Sequence, residues 1–165
     1  MTVQHVARYP APGSPGKLAA YRKSQEYFFK AARYFDPPLS AWRCRLPDAR
    51  GEGEIAVGLL RNPKESPSLP VVVVWGGIDA FKEERASEPY LKAGLAPLAI
   101  DMPGVADAPL AGSENGERLW DAVFDFIASR SDLDSDRVGV HGGEHGVVIG
   151  RRKSRTRMRH DCARR

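Results

Sequence analysis

The segment PSLPVVVVWGG, residues 67–77, narrows the choice of fold more than any other part of this chain. Four consecutive valines leave no polar face, and β-branched residues favour strands. A strand that is apolar on both faces is typical of a parallel sheet with helices on either side. The segment therefore predicts a strand over residues 70–75 that is buried on both faces.

Three more apolar segments predict strands at 54–60, 97–101 and 137–141. Between the last two, apolar residues recur at helical spacing and predict an amphipathic helix over 117–129. Strands that alternate with helices in this way are typical of a parallel sheet with crossover helices. We therefore expect an α/β fold with a mostly parallel sheet, in which the last three strands run parallel.

The N-terminal part predicts one amphipathic helix ahead of the sheet, over residues 17–34. Tyr21, Phe28 and Ala32 fall near one helical face. The sequence Asp-Pro-Pro at 36–38 ends this helix, because proline cannot continue it. We expect three regions: a lead-in and helical segment at 1–35, an incomplete α/β core at 36–150 and a basic tail at 151–165.

The net charge of +4 comes from the tail. Residues 151–165 carry seven arginines, one lysine and one aspartate, which leaves residues 1–150 with a net charge of −3. Eight cationic side chains without an apolar face predict a disordered segment. A non-enzymatic role, in which this tail binds nucleic acid or another polyanion, therefore stays open. No aromatic residue interleaves the arginines, so specific nucleic-acid binding is not expected.

Composition excludes several other classes of protein. No apolar run approaches the ~20 residues of a membrane-spanning helix, and the first residues lack the apolar stretch of a secretory signal. Cys44 and Cys162 are far apart in sequence and form no metal-type pair. We expect a cytoplasmic protein with free thiols that requires no cofactor and no metal.

The segment GVHGGEHG, residues 139–146, follows the last predicted strand and precedes the apolar VVIG. A strand, a tight glycine turn and a helix start together form the nucleophile elbow of many hydrolases. The spaced glycines fit that pattern, but Glu144 stands where the nucleophile would be. Taken alone, such glycines are common and mark only a turn. WGGID at 75–79 and IDMPG at 100–104 have the same two interpretations, a ligand-binding loop at a strand end or a plain turn.

The chain resembles one branch of the α/β-hydrolase superfamily in four segments taken in order: YFDPP, PVVVVWGGIDAFKEE, YLKAGLAPLAIDMPGVADAP and LDSDRVGVHGGEHG. That branch includes the fermentation–respiration switch esterase-like proteins and dihydropseudooxynicotine hydrolase. The resemblance covers roughly residues 27–146. It implies the N-terminal part of an α/β-hydrolase fold, preceded by the amphipathic helix. It also implies a serine-hydrolase lineage that acts on small esters, or on ketones whose C–C bonds a carbonyl activates.

The resemblance also implies roles for individual residues. Gly76, Gly77 and Ile78 would form the oxyanion loop, and the backbone N–H of His145 would be the second donor to the tetrahedral oxyanion. The N-terminal helix would match a helical segment that helps to cover the active site in these proteins. Glu144 occupies the nucleophile-elbow position, where the family carries serine.

Two departures from the family predict that the chain as written is inactive. Glutamate is a poor replacement for an alkoxide nucleophile in ester hydrolysis. The arginine-rich stretch cannot build the strands, the triad acid and the triad histidine that the family carries beyond the elbow. A truncated sheet would also leave an exposed strand edge, so we expect self-association through that edge.

One shift in the reading frame at about residue 143 accounts for both departures. Glu144–His145 is encoded GAR-CAY, and if the first codon is GAG, the frame moved by one base reads AGC, which is serine. The next codon can then be threonine and the one after it glycine, which restores the elbow. The alternative is that Glu144 and the basic tail are native.

Overall fold

The computed structural model describes residues 15–46, 54–63, 68–85, 87–110, 112 and 115–142. The helices are α1 (Pro15–Ala32), α2 (Glu88–Lys92) and α3 (Arg118–Ser129), and a short 3₁₀ helix spans Lys82–Glu84. The strands are β1 (Leu39–Leu46), β2 (Glu54–Arg61), β3 (Leu69–Val74), β4 (Ala96–Ile100) and β5 (Leu133–His141). In the described part of the chain they form one sheet in the order β1-β2-β4-β3-β5.

The four-valine segment forms β3, which lies between β4 and β5 and is parallel to both. All four valines are buried, and Val73 has no solvent exposure. The strands predicted at 70–75, 97–101 and 137–141 lie at 69–74, 96–100 and 133–141. Their predicted parallel arrangement is confirmed.

Strand β1 was not predicted from the sequence. β1 pairs antiparallel with β2, and β2 pairs antiparallel with β4. The described sheet is therefore mixed, with two antiparallel and two parallel pairings, rather than mostly parallel. Trp42 and Leu46 of β1 are buried, whereas Arg43 between them is exposed. This alternation over a few residues is the ordinary signal of a strand with one buried face.

Helix α3 covers one face of the sheet and begins one residue after the predicted start at 117. Its stripe of buried residues includes Leu119, Val123 and Ile127. Burying an apolar side chain of this size contributes about 1.5–3 kcal/mol, so this stripe is a main source of stability. Trp120 of the same helix packs on Trp75 with ring centroids 4.4 Å apart, which fixes the residue that follows β3.

Helix α1 lies within two residues of its predicted range, 17–34. Tyr21 and Ala32 are buried as predicted, but so are the polar residues Ser24 and Gln25. Buried polar side chains require hydrogen-bond partners. The face that α1 presents to the protein is therefore partly polar, and its contacts belong to the site described next.

The helices of the described part include none with the length and apolarity that a membrane crossing requires.

Candidate functional site

The carboxyl ends of β3, β4 and β5 lie at the same edge of the sheet, because these strands are parallel. At this edge the backbone N–H of Trp75 donates to the carbonyl oxygen of His141 at 3.1 Å. The loop at 76–80, which follows β3, therefore starts beside Gly142, which follows β5. Ligand sites of open α/β sheets lie at this edge, where loops from neighbouring strands meet.

Close packing requires glycine at two positions around this contact. A Cβ atom on Gly142 would overlap the indole of Trp75, which is 1% exposed. A Cβ atom on Gly76 would overlap the methyl group of Ala80, because the loop turns back there. The N–H of Ala80 donates to the carbonyl oxygen of Gly77 at 3.3 Å and closes this turn. Glycine is thus needed at these two positions for tight packing.

Three of the predicted oxyanion-site residues, Gly76, Gly77 and Ile78, lie together in the loop at this edge. The Ile78 side chain is 70% exposed. The other two site residues, Glu144 and His145, lie outside the described residues, which reach Gly142 at the end of β5.

Directly after this loop, Lys82 is buried among carboxylates. Its ammonium lies 2.7 Å from Asp101, 3.0 Å from Asp107 and 3.2 Å from Glu83. It also donates to the hydroxyl of Tyr21 at 3.1 Å. Four oxygen atoms therefore surround one ammonium whose side chain is only 1% exposed. We refer to Tyr21, Gln25, Lys82, Glu83, Asp101 and Asp107 as the Lys82 cluster.

Asp101, the first residue after β4, joins two loops in this cluster. One carboxylate oxygen accepts the backbone N–H of Lys82 at 2.8 Å, and the other accepts its ammonium at 2.7 Å. The backbone N–H of Asp107 donates to the second oxygen at 3.4 Å. The IDMPG segment was predicted to be a ligand loop or a plain turn, and this internal link was not predicted.

Helix α1 supplies the rest of the cluster. The amide of Gln25 donates to the Tyr21 hydroxyl at 3.0 Å and to Glu83 at 2.9 Å, and it also contacts Asp107. At the exposed rim, Arg22 pairs with Asp107 at 2.8 Å. These contacts explain the burial of Gln25 and tie α1 to the loops that follow β3 and β4.

Burial and charge shift the pKa values of this cluster in different directions. Burial raises the pKa of Asp101 to about 6, although the Lys82 ammonium lowers it. Burial lowers the pKa of Lys82, but the neighbouring carboxylates raise it by more. The Lys82 pKa therefore lies above its ordinary value. For Asp107 burial is outweighed by Lys82, Gln25 and Arg22, which hold its pKa below the ordinary value. Burial therefore dominates the pKa of Asp101, whereas the neighbouring charges and hydrogen bonds dominate the pKa of Asp107.

We expect the free energy of unfolding to fall as the pH rises from about 4 to 6 because of Asp101. Its pKa rises from 3.8 to about 6 on folding, so the folded chain holds an extra proton in this window. That stabilisation is lost as the pH passes the folded value. The groups that face Asp101 are Lys82, Glu83, Tyr21 and Asp107. Asp101→Asn should remove this fall, and parallel urea-unfolding profiles of the two proteins from pH 4 to 7 would contradict the prediction.

The described residues contain no group of three His, Cys, Asp or Glu side chains arranged to hold a metal ion. In the Lys82 cluster the ammonium already occupies the space between the carboxylates.

A cavity of about 210 Å³ lies beside the cluster, lined by α1, β2 and the segment at 82–88. Phe28 and Phe35 supply apolar walls. Arg61 also lines it, and its guanidinium pairs with Glu88 at 2.7 Å and donates to two carbonyl oxygens of the turn after α1. Arg61 therefore fixes that turn, and the cavity is lined by charged as well as aromatic side chains.

A sequence comparison relates the chain to a known esterase. Esterase FrsA of Photobacterium profundum is 28% identical over 113 residues, which cover 66% of this chain and 27% of that protein. The chain thus spans about a quarter of the length of this curated relative. No family model matches the chain.

Comparison with solved structures identifies the fold. AbyA5 superposes with a TM-score of 0.69 at 24% identity, over 85% of this chain and 42% of that chain. The 2,6-dihydroxy-pseudo-oxynicotine hydrolase superposes with a TM-score of 0.69 at 22% identity, over 84% of this chain and 40% of that chain. Together with the esterase relative, these matches confirm the predicted fold class. The chain is similar in sequence to an esterase, and its described residues share the fold of AbyA5 and of the 2,6-dihydroxy-pseudo-oxynicotine hydrolase, which is the predicted α/β-hydrolase fold.

Proposed function

We propose that this chain carries the oxyanion-binding part of a serine-hydrolase site. The observation that supports this most is the hydrogen bond between Trp75 and His141, because it brings the loop at 76–80 next to the predicted elbow. A backbone N–H of the Gly76–Ile78 segment and that of His145 would then act as the two donors to a tetrahedral oxyanion. Removing one such donor costs about 10²–10³ in kcat in a well-studied protease.

The proposed substrates of this lineage are small esters or ketones. The likeness to an esterase supports an acyl-transfer chemistry, in which a serine alkoxide attacks the carbonyl carbon. Glu144 stands at the nucleophile position and cannot supply an alkoxide. The proposal is therefore a hydrolase lineage without turnover in the chain as written.

The 165-residue chain should not hydrolyse p-nitrophenyl acetate above the buffer rate, because no activated serine stands at the elbow. The measurement is the release of p-nitrophenolate by the chain and by its Glu144→Ala variant. Saturable turnover that is equal in both proteins would arise at another site or from an impurity. Turnover that Glu144→Ala abolishes would make the glutamate catalytic and would overturn the proposed inactivity.

We further propose that the reading frame changes at about residue 143. A frame moved by one base can restore serine at position 144, so one event explains both the glutamate and the arginine-rich tail. The division into regions at 1–35, 36–150 and 151–165 belongs to the same proposal, since the tail would then be foreign to the fold.

The remaining predictions concern partners and location. The basic tail lies outside the described residues, so its binding to nucleic acid or another polyanion stays a prediction, as does a cytoplasmic location.

In the described part of the chain, β5 pairs only with β3 and is an outer strand of the sheet. This open edge supports the proposal that copies of the chain self-associate there. A single sharp monomer peak in size-exclusion chromatography would contradict it.

A further inference from the structure

We infer that the Lys82 cluster couples helix α1 to the glycine loop at 76–80, so that α1 in its docked position holds this loop in one conformation. The coupling goes beyond the proposed oxyanion chemistry, because it concerns what fixes the loop rather than what the loop binds.

The first three residues of the glycine loop have few side-chain contacts that could fix them. Gly76 and Gly77 have no side chain, and Ile78 is 70% exposed. One internal backbone hydrogen bond closes the turn at Ala80. At its start the loop is held by Trp75 on β5. Its conformation therefore depends on what holds the residues at its other end.

That other end is held by the Lys82 cluster. Phe81 is 8% exposed, and its ring packs on the ring of Tyr21 with centroids 4.5 Å apart. Asp101 binds both the backbone N–H and the ammonium of Lys82. Two consecutive residues after the loop are thus fixed, the first by a helix side chain and the second by the loop that follows β4.

Helix α1 is needed for this arrangement because it completes the coordination of a buried charge. Tyr21 places its hydroxyl on the Lys82 ammonium, and Gln25 donates to both Tyr21 and Glu83. A buried ion pair is stable only when its remaining hydrogen-bonding groups are satisfied. Removing one member of a buried polar network also costs more stability than a single hydrogen bond contributes. Loss of the α1 contacts should therefore weaken the contacts that fix Lys82. Because Lys82 follows the loop, the loop should become more mobile.

The test is amide hydrogen exchange of the full chain with and without the Tyr21 hydroxyl. Tyr21→Phe keeps the ring on Phe81 but removes the oxygen that accepts from Lys82 and Gln25. We expect the Ala80 amide, which donates the hydrogen bond that closes the turn, to exchange about tenfold faster, because the hydrogen bonds of the Tyr21 hydroxyl with Lys82 and Asp107 are lost. The amides of β3 at 71–74 should keep their protection. Tyr27→Phe makes the same change at a half-exposed tyrosine of the same helix and should leave the loop unchanged.

Two outcomes would overturn the coupling. One is unchanged exchange of the Ala80 amide in Tyr21→Phe. The other is a uniform increase that includes β3, which would show a loss of global stability instead of a local link. If Tyr21→Phe does not fold, Gln25→Ala is measured in the same way, because it removes donors to Tyr21 and Glu83 and leaves the tyrosine in place. Failure of this test would leave the oxyanion proposal standing, since that proposal depends on the contact between Trp75 and His141.

Discussion

Lys82→Met should lower the free energy of unfolding by about 3–5 kcal/mol, the usual cost of removing one partner from a buried ion pair. Methionine keeps a long apolar stem but removes the ammonium that lies 2.7 Å from Asp101 and 3.0 Å from Asp107. The side chains of Lys82 and Asp101 are each 1% exposed, so bulk water does not solvate the carboxylate that is left. Urea unfolding followed by tryptophan fluorescence measures the change.

Two control variants show whether the buried charge causes this loss. Lys92→Met at an exposed lysine of α2 should change stability by less than about 0.5 kcal/mol. The double variant Lys82→Met, Asp101→Asn should recover part of the loss, because it removes one of the unpaired charges. If Lys82→Met costs no more than Lys92→Met, the cluster is solvated and does not hold the two loops together.

Gly142→Ala should lower the free energy of unfolding by about 1–3 kcal/mol, the usual cost of overpacking a core. The added Cβ atom would overlap the indole of Trp75, which is buried and packs on Trp120. Gly139→Ala is the matched control in β5, because a Cβ atom there meets nothing nearer than the carbonyl oxygen of Val71 at 3.8 Å. Equal costs for the two variants would mean that the close approach of Trp75 does not constrain the turn.

Apolar patterns predicted most of the fold because they report burial directly. The valine run can only be a buried strand, and Leu119, Val123 and Ile127 share one face of a helix. β1 was missed because its strand pattern is short and interrupted by arginines. In α1 the polar residues Ser24 and Gln25 resemble a solvent-exposed face, although Ser24 bonds within the helix and Gln25 finds its partners on other elements.

Only the part of the candidate site that lies at the ends of two adjacent strands could be predicted from the sequence. The loop at 76–80 starts beside Gly142 because β3 and β5 are neighbours, so the parallel sheet supports the proposed pairing of 76–78 with the elbow. The Lys82 cluster was missed because its contacts join α1, residues 82–83 and residues 101–107 across 19–86 positions of the sequence, and no spacing links them. The segments KEE and IDMPG each follow a parallel strand, which is the one available signal that they would meet.

The proposal that this chain carries the oxyanion half of a serine-hydrolase site is tested most directly by the nucleotide sequence across codons 140–170 and downstream. We expect GAG at codon 144, so that the frame moved forward by one base reads serine there. That frame should stay open well beyond codon 165 and encode further apolar strands, an aspartate and a histidine that complete a triad. GAA at codon 144, which gives asparagine in the shifted frame, would contradict the proposal. An early stop codon in that frame would do the same, and either result would make Glu144 the native residue of the elbow.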